Sequence, residues 1–409
     1  MKKTLILFLF TILMFISNNC NDKTVDPKPN DSDTLPQEDI KWASLANSAW
    51  PMNHGNPQSN GRSSYSGPIK GEVSFKIQYY GIESSLVLGK NNELFVTSNY
   101  YPHRISAMKI TGDTIWESLA GGNIATTPIL TDSIVYWADA SGLNSYTLEG
   151  KKKWKYDNNC SIWNIGINIG QDGIIYCITE QNVLKAISPE GILLWELKDE
   201  RFRADEHGAP TFSPDGTTLY VQGNNVSILA VDIQKRLVKW VFGDYELWSS
   251  PVIDSYGSIY FIPGEYKNPD TKTLYALDAM GVLIWQYDFE DDYILDNTEP
   301  TIDYDGNIFF GGSIIYSVNY KGKLRWQYNL NNLNIVSPLV NDVNGNLYIG
   351  AADLGNTSIL SILSLDNNGN LNWKTNVEGE NFLGASPAIS NDGQLLFPSF
   401  RSSNIIIIK

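Results

Sequence analysis

Three histidines, three cysteines and a set of Asp-Gly dipeptides are the residues through which this chain could do chemistry. His54, His103 and His207 stand far apart, without the spacing by which imidazoles share a metal, and they read as surface or loop residues. The Asp-Gly segments invite calcium: Gln171-Asp172-Gly173, Asp215-Gly216, Asp303-Tyr304-Asp305-Gly306, Asp342-Val343-Asn344-Gly345 and Asp392-Gly393. Asp303/Asp305 and Asp342/Asn344 alternate like the first ligands of a calcium loop, but the downstream bidentate glutamate is missing. An Asx-Gly pair is also what a tight hairpin turn requires, since glycine accepts positive φ at no steric cost. They are read as turns, and no metal or cofactor is assigned. There is no phosphate-binding GxxxxGK[ST] loop, no GxSxG and no HExxH, so no catalytic residue is assigned either.

The cysteines do different work. Lys2 and Lys3 precede an apolar run from Leu5 to Ile16, too short to span a bilayer and suited to a signal-peptide core. Cys20 follows, in an arrangement that resembles a bacterial lipoprotein signal, which makes Cys20 the lipidation site and residues 1–19 the signal peptide. Residues 20–40 are polar, acidic and proline-bearing, and read as a flexible tether with a span on the order of 25 Å. Cys160 and Cys177 read as two buried thiols. The turn at Gln171-Asp172-Gly173 should pair Cys177 with a residue near Ile165, which leaves Cys160 beyond disulfide reach.

Composition bounds what these residues can belong to. The 409 residues carry a net charge of −15, and no basic stripe offsets it, so phosphate backbones are repelled and nucleic-acid binding is excluded. Few charged residues and 12% aromatics suit an all-β protein of many short strands.

Periodicity then gives the architecture. Trp116, Trp154, Trp195, Trp240, Trp285, Trp326 and Trp373 recur at roughly 40–50 residues, and Phe75 precedes them in a similar context. One unit shows four strands: Ser250–Asp254, Ile259–Ile262, Leu274–Asp278 and Val282–Tyr287, with turns at Ser255-Tyr256-Gly257 and Ala279-Met280-Gly281 and an insertion between the second and third. Each first strand carries a proline dipeptide, among them Thr127-Pro128, Ala209-Pro210, Ser250-Pro251, Glu299-Pro300, Ser337-Pro338 and Ser386-Pro387. A four-stranded sheet with two apolar faces buries both only by stacking on neighbours, and radial closure supplies them. The last segment, from Ala385, has room for three strands. The missing fourth is Gly71 to Tyr80, so the prediction is an eight-bladed β-propeller over 71–409, closed by pairing an N-terminal strand with the C-terminal blade. Residues 41–70 form a lead-in segment packing on it.

The pattern Ala276-x-Asp278-x-x-Gly281-x-x-x-Trp285 resembles the tryptophan-docking motif of PQQ-like propeller repeats, and Ser364-x-Asp366-x-x-Gly369-x-x-x-Trp373 is similar. Trp50-Pro51-Met52 through Gly61-Arg62-Ser63 resembles a lead-in to such repeats. The resemblance implies that Phe75 and the seven tryptophans are blade-docking residues whose indoles pack on the adjacent blade. The family includes quinoprotein alcohol dehydrogenases with PQQ and Ca²⁺ on the axis. This chain departs from them in its isolated cysteines, its length and the lack of a CxxCH motif.

Function is therefore expected on loops. The connections from fourth to first strand and from second to third share one face, and the long ones are Asp199–Gly208, Asp244–Trp248, Gly264–Thr273 and Glu290–Thr298. They carry Arg201, Phe202, Arg203, Tyr245, Trp248, Tyr266 and Tyr293, aromatics with interleaved polar groups that suit protein or glycan contact. Two readings stay open. One is a monomeric, lipid-anchored scaffold in the cell envelope that binds a protein partner, like the BamB-type outer-membrane assembly lipoproteins it resembles. The other is a surface lipoprotein for glycans or nutrients. A PQQ-dependent dehydrogenase is the least favoured.

Overall fold

Apolar residues on short strands, cut by recurring turn glycines, give eight units of antiparallel sheet, seven of four strands and one with an extra fifth. The computed structural model describes residues 33–124, 126–157, 166–203, 208–264, 272–290, 299–380, 385–399 and 403–409. We number the sheets as blades. Blade 1 runs from Val87–Leu88 to Thr114–Leu119, blade 2 from Ile129–Leu130 to Lys152–Tyr156, and blade 3 from Ile167–Ile169 to Leu193–Lys198. Blade 4 runs from Thr211–Phe212 to Leu237–Phe242, blade 5 from Val252–Ile253 to Leu283–Asp288, and blade 6 from Thr301–Ile302 to Leu324–Asn329. Blade 7 runs from Asn334–Ile335 to Leu371–Glu378. Blade 8 holds Ala388–Ile389, Leu395–Ser399 and Asn404–Ile408, and its fourth strand is Val73–Gln78 from the other end of the chain. The inner strands are buried on both faces, as sheets stacked between neighbours must be, while the fourth strands are largely exposed.

The seam closes as the sequence predicts. Phe75 pairs with Ile407, Ile77 with Ile405 and Gln78 with Asn404, and Glu72 and Lys409 exchange backbone bonds of 3.0 and 2.9 Å. Ile405 to Ile408 are fully buried. Each such isoleucine gains roughly 1.5–3 kcal/mol from burial, enough to hold two chain ends together against their ordering entropy.

Each docking tryptophan pairs with a small residue on the third strand and crosses to the next blade. Trp285 faces Ala276 in register, lies over Gly322 of blade 6 and donates its indole N–H to the Tyr320 carbonyl at 2.8 Å. Trp116, Trp154, Trp240 and Trp326 repeat this on Gly150, Gly191, Gly281 and Gly369, with N–H bonds of 2.7–3.1 Å. Trp373 covers Gly71 and donates to the Pro68 carbonyl, which ties blade 7 to the seam. Trp195 meets Arg236 in place of a glycine, its ring centre 5.9 Å from the guanidinium carbon, and Arg236 adopts φ +59° to make the same turn. Phe75 holds the tryptophans' register position, but the side chain against Gly112 of blade 1 is Ile77, two residues on and on the same face.

One local expectation changes. Blade 7 has five strands, because Asn334–Ile335 and Val340–Asn341 both pair with Leu347–Asp353. Ser337-Pro338 lies between them, and a proline without an N–H interrupts the ladder there. Across the Gly170–Gly173 turn Cys177 pairs with Ile167, two residues from Ile165 as the sequence predicts. Cys177 is buried, and Cys160 lies outside the described residues, as does Cys20.

Candidate functional site

The turns between first and second strands are satisfied from within. Asp303 Oδ1 accepts the N–H groups of Asp305 and Asn307 at 2.9 and 2.8 Å, while Oδ2 accepts from the Asn307 amide at 2.8 Å. Asp342 makes the same set with Asn344 and Asn346, and Asp254 bonds Tyr256, Ser258 and the Tyr260 hydroxyl. Burial pushes the Asp254 and Asp303 carboxyls up, against the pull of these donors. Their lone pairs are spent on the hairpin, which is the chemistry of a turn.

That face is also covered by the lead-in segment. Leu35 and Gln37 donate backbone N–H groups to Asp305 and Tyr304 of blade 6, and Gln37 Oε1 accepts from Ser255 of blade 5. Trp42 donates to the Ile169 carbonyl of blade 3, and Ala46 donates to the Leu130 carbonyl of blade 2. So the segment expected to be free up to residue 40 is held from Leu35, because unpaired turn carbonyls offer it partners.

From Trp50 the chain turns into the axis. The innermost strand of a blade has one edge without a partner strand, and residues 50–61 satisfy it blade by blade. Leu88, Leu130, Phe212, Ile253, Ile302 and Asn341 donate their N–H groups to the carbonyls of Trp50, Pro51, Pro57, Gln58, Asn60 and Gly61, at 2.8–3.1 Å. Blade 3 reaches the same segment through the Asn168 amide, 3.1 Å from the Pro57 carbonyl. His54, read from sequence as a surface or loop residue, is fully buried in this plug. Its Nδ1 and Nε2 lie 2.8 and 2.9 Å from the carbonyls of Ser59 and Leu339, and Nδ1 lies 3.1 Å from Glu299 Oε2. His103 is half-buried on a blade 1 loop, and His207 lies outside the described residues.

The residues before the first-strand prolines close the other end of the axis. Ser386 N–H donates to Ser85 Oγ, Ser85 N–H to Thr127 Oγ1, Ala209 N–H to Ser250 Oγ, and Ser250 N–H to Glu299 Oε1, at 2.9–3.0 Å. At these four junctions one blade's N–H is met by the next blade's side chain, and three of the acceptors, Thr127, Ser250 and Glu299, stand directly before a proline, while Ser85 precedes Leu86.

The loop face offers the remaining polar and aromatic surface. Arg203 pairs with Glu246 and stacks on Trp248, with its guanidinium carbon 3.9 Å from the ring centre. The structure thus joins the blade 3–4 and blade 4–5 loops at three residues, two of them expected. Tyr245 is exposed beside them. Arg201 is engaged elsewhere, in a bidentate pair with Asp199 at 2.9 and 2.6 Å. Phe202 is fully buried and bridges Gly223, so it fixes the loop and is unavailable to a partner. Tyr266 and Tyr293 lie outside the described residues.

Sequence reasoning missed a tyrosine group on this face. Tyr80 lies on the blade 8–1 loop, and Tyr100 and Tyr101 on the blade 1 loop between second and third strands; Tyr100 and Tyr101 are 66% and 88% exposed. Gly81 lets the two loops touch, since any side chain there would meet Tyr100. The run Asn99-Tyr100-Tyr101-Pro102 was the available signal.

Comparison with known proteins agrees with this architecture. A family model described as "Outer membrane protein assembly factor BamB" matches residues 48–258. The crystal structure of BamB from Moraxella catarrhalis superposes with a TM-score of 0.60 at 15% identity, over 83% of this chain and 97% of that one. The quinohemoprotein alcohol dehydrogenase of Comamonas testosteroni gives 0.67 at 12% identity, over 90% and 81%. A europium-containing methanol dehydrogenase gives 0.65 at 10% identity, over 85% and 89%. At such identities the likeness is one of fold. No curated protein matches the sequence significantly. With the docked repeats, the closed ring and a family match over more than half its length, the chain belongs to the PQQ-like propeller family of the outer membrane protein assembly factor BamB.

Proposed function

We propose that the protein is a scaffold of the cell envelope, tethered by a lipid on Cys20, that binds a protein partner on its loop face. The observation that carries this reading is the contrast between the two ends of the ring. One end is overlaid by residues 35–67, and the other presents Tyr80, Tyr100, Tyr101 and Tyr245 together with the Arg203–Trp248 stack. Exposed tyrosines and a stacked arginine on a rigid scaffold are the composition of protein-binding surfaces.

The dehydrogenases among the structural relatives raise the question of a quinone cofactor on the axis. Here the axis is filled by Trp50 to Arg62, bonded to the inner strands, and a cofactor there would have to displace them. The residues present do not fit such a group, and no step of chemistry is derived through it.

The test is site-specific photocrosslinking in the native cell. A crosslinker at Tyr101 or Tyr245 should trap the same protein, while one at Val343, exposed on the opposite face, should not. Equal trapping from both faces, or none from either, would reject the reading. Loss of glycan-array binding in Trp248→Ala would replace it with the glycan reading.

A further inference from the structure

The turns between third and fourth strands, and the strand starts that follow them, form one rim of the ring. Around blades 2 to 6 this rim alternates in character. Blade 3 exposes Ile192, Leu193 and Leu194, and blade 5 exposes Met280, Val282, Leu283 and Ile284. The blades flanking them expose mainly cations: Lys151, Lys152 and Lys153 on blade 2, Lys235 and Arg236 on blade 4, and Lys321 and Lys323 on blade 6, with a single exposed leucine, Leu237 or Leu324, on each of blades 4 and 6. The same repeat position puts all of them at one height. The acids of the arc are Glu149, Glu190, Asp232 and Asp278, and the last two accept N–H groups of their own turns. In a chain of net charge −15, this arc is a local excess of cations between aliphatic knobs.

Such runs of exposed aliphatics are not required by the repeat, because blade 7 places Asn370, Leu371 and Asn372 at the same positions. Nor is the rim remote from the N-terminal side. Leu35 to Glu38, close to the start of the described residues, lie on the turns of blades 5 and 6 on this same side of the ring. We propose that the rim of blades 2–6 rests on an anionic phospholipid surface, with the aliphatic residues of blades 3 and 5 entering the headgroup layer and the flanking lysines and arginine meeting lipid phosphates. Aliphatic insertion combined with cation–phosphate attraction is how a folded body holds to a bilayer without spanning it. No helix of the described residues is long and apolar enough to cross a membrane, so this contact is peripheral. It orients the loop face with its tyrosines away from the lipid.

The inference stands apart from lipidation and from partner binding, and its test removes both. A chain starting at Asn21 lacks Cys20 and keeps the compact unit Asp33–Lys409 whole. It should float with vesicles of phosphatidylethanolamine and phosphatidylglycerol, and less with phosphatidylcholine alone. Leu193→Ser/Leu283→Ser should weaken binding about tenfold, and Lys152→Glu/Lys321→Glu by a similar factor with a shallower salt dependence. All four positions are exposed, so neither variant threatens the fold. Tyr100→Ser/Tyr101→Ser, on the opposite face, should float like the parent. Failure of the parent to float, or unchanged flotation of both rim variants, would overturn the proposal.

Discussion

Gly322 of blade 6 lies directly beneath the indole of Trp285 of blade 5, so close that a Cβ at Gly322 would stand 2.6 Å from the ring. The glycine also adopts φ +75°, so the turn and the docking contact impose the same requirement at one residue. Five of the seven tryptophans sit on a repeat glycine in this way, Trp373 covers Gly71 at the seam, and Trp195 has Arg236 beneath it instead.

Gly322→Ala is expected to destabilise the protein by about 2–4 kcal/mol, from left-handed backbone strain and forced displacement of the ring. Arg236→Gly should change stability by less than about 1 kcal/mol, since that turn already tolerates a side chain. Denaturant midpoints of the two variants measure the difference, and equal effects would refute the docking account.

At the seam, Ile407→Ala should cost about 2–4 kcal/mol through the cavity it leaves. Ile407→Asp should open the pairing with Phe75, because a carboxylate there has no partner. Limited trypsin digestion reads this as new, fast cleavage at Lys76, which in the intact protein donates to Glu380 at 2.7 Å.

Inside the plug, Glu299→Ala removes the acceptor of the Ser250 N–H and the carboxylate beside His54, and should cost about 3–5 kcal/mol. Glu299→Gln keeps an oxygen for Ser250 and should cost less than half as much. A double-mutant cycle with His54→Gln should show strong coupling, whereas additive effects would mean the two side chains act independently.

Alkaline pH should unfold the ring through its tyrosines. Burial, with the Glu190 charge adding to it, pushes the Tyr136 phenol up to about 12. The folded value lies above the ordinary 10, so this group's contribution to stability is full below about pH 10 and is lost as pH rises through 12. Burial moves Tyr176, Tyr220, Tyr260 and Tyr348 in the same direction. Tyrosinate absorbance should therefore rise in two stages, exposed residues first and the buried set only with loss of near-UV circular dichroism. A single reversible step near pH 10 with the fold intact would contradict this.

The ring itself was legible because its signals repeat. Tryptophans, proline dipeptides and Asx-Gly turns each mark one position in a blade, and the short C-terminal segment called for a strand from elsewhere. The plug was not legible, because its contacts run from backbone to backbone. Nothing in the types of Pro57 or Gln58 says that their carbonyls meet Phe212 and Ile253. His54 was misjudged for the same reason, as an isolated histidine in an aperiodic stretch. On the loop face, the availability of two of the expected residues was not legible. Phe202 is buried and Arg201 is paired, which depends on how the loops fold back. The exposed tyrosines of blade 1 sat on a loop too short to stand out by length.

The path of residues 50–61 bears on the order in which the molecule can be made. This stretch leaves the ribosome before any blade exists, yet the groups it binds are spread across the ring as far as Asn341. A nascent chain can settle Trp50 and Pro51 on blades 1 and 2 as these form, but Asn60, Gly61 and the seam wait for the last blades. The last step seats the end of the plug and zips the seam, and it is slowed by the entropy of closing such distant contacts. Until then the edges at the seam stay unpaired, and holding them apart from other chains becomes a task for the compartment where the protein folds.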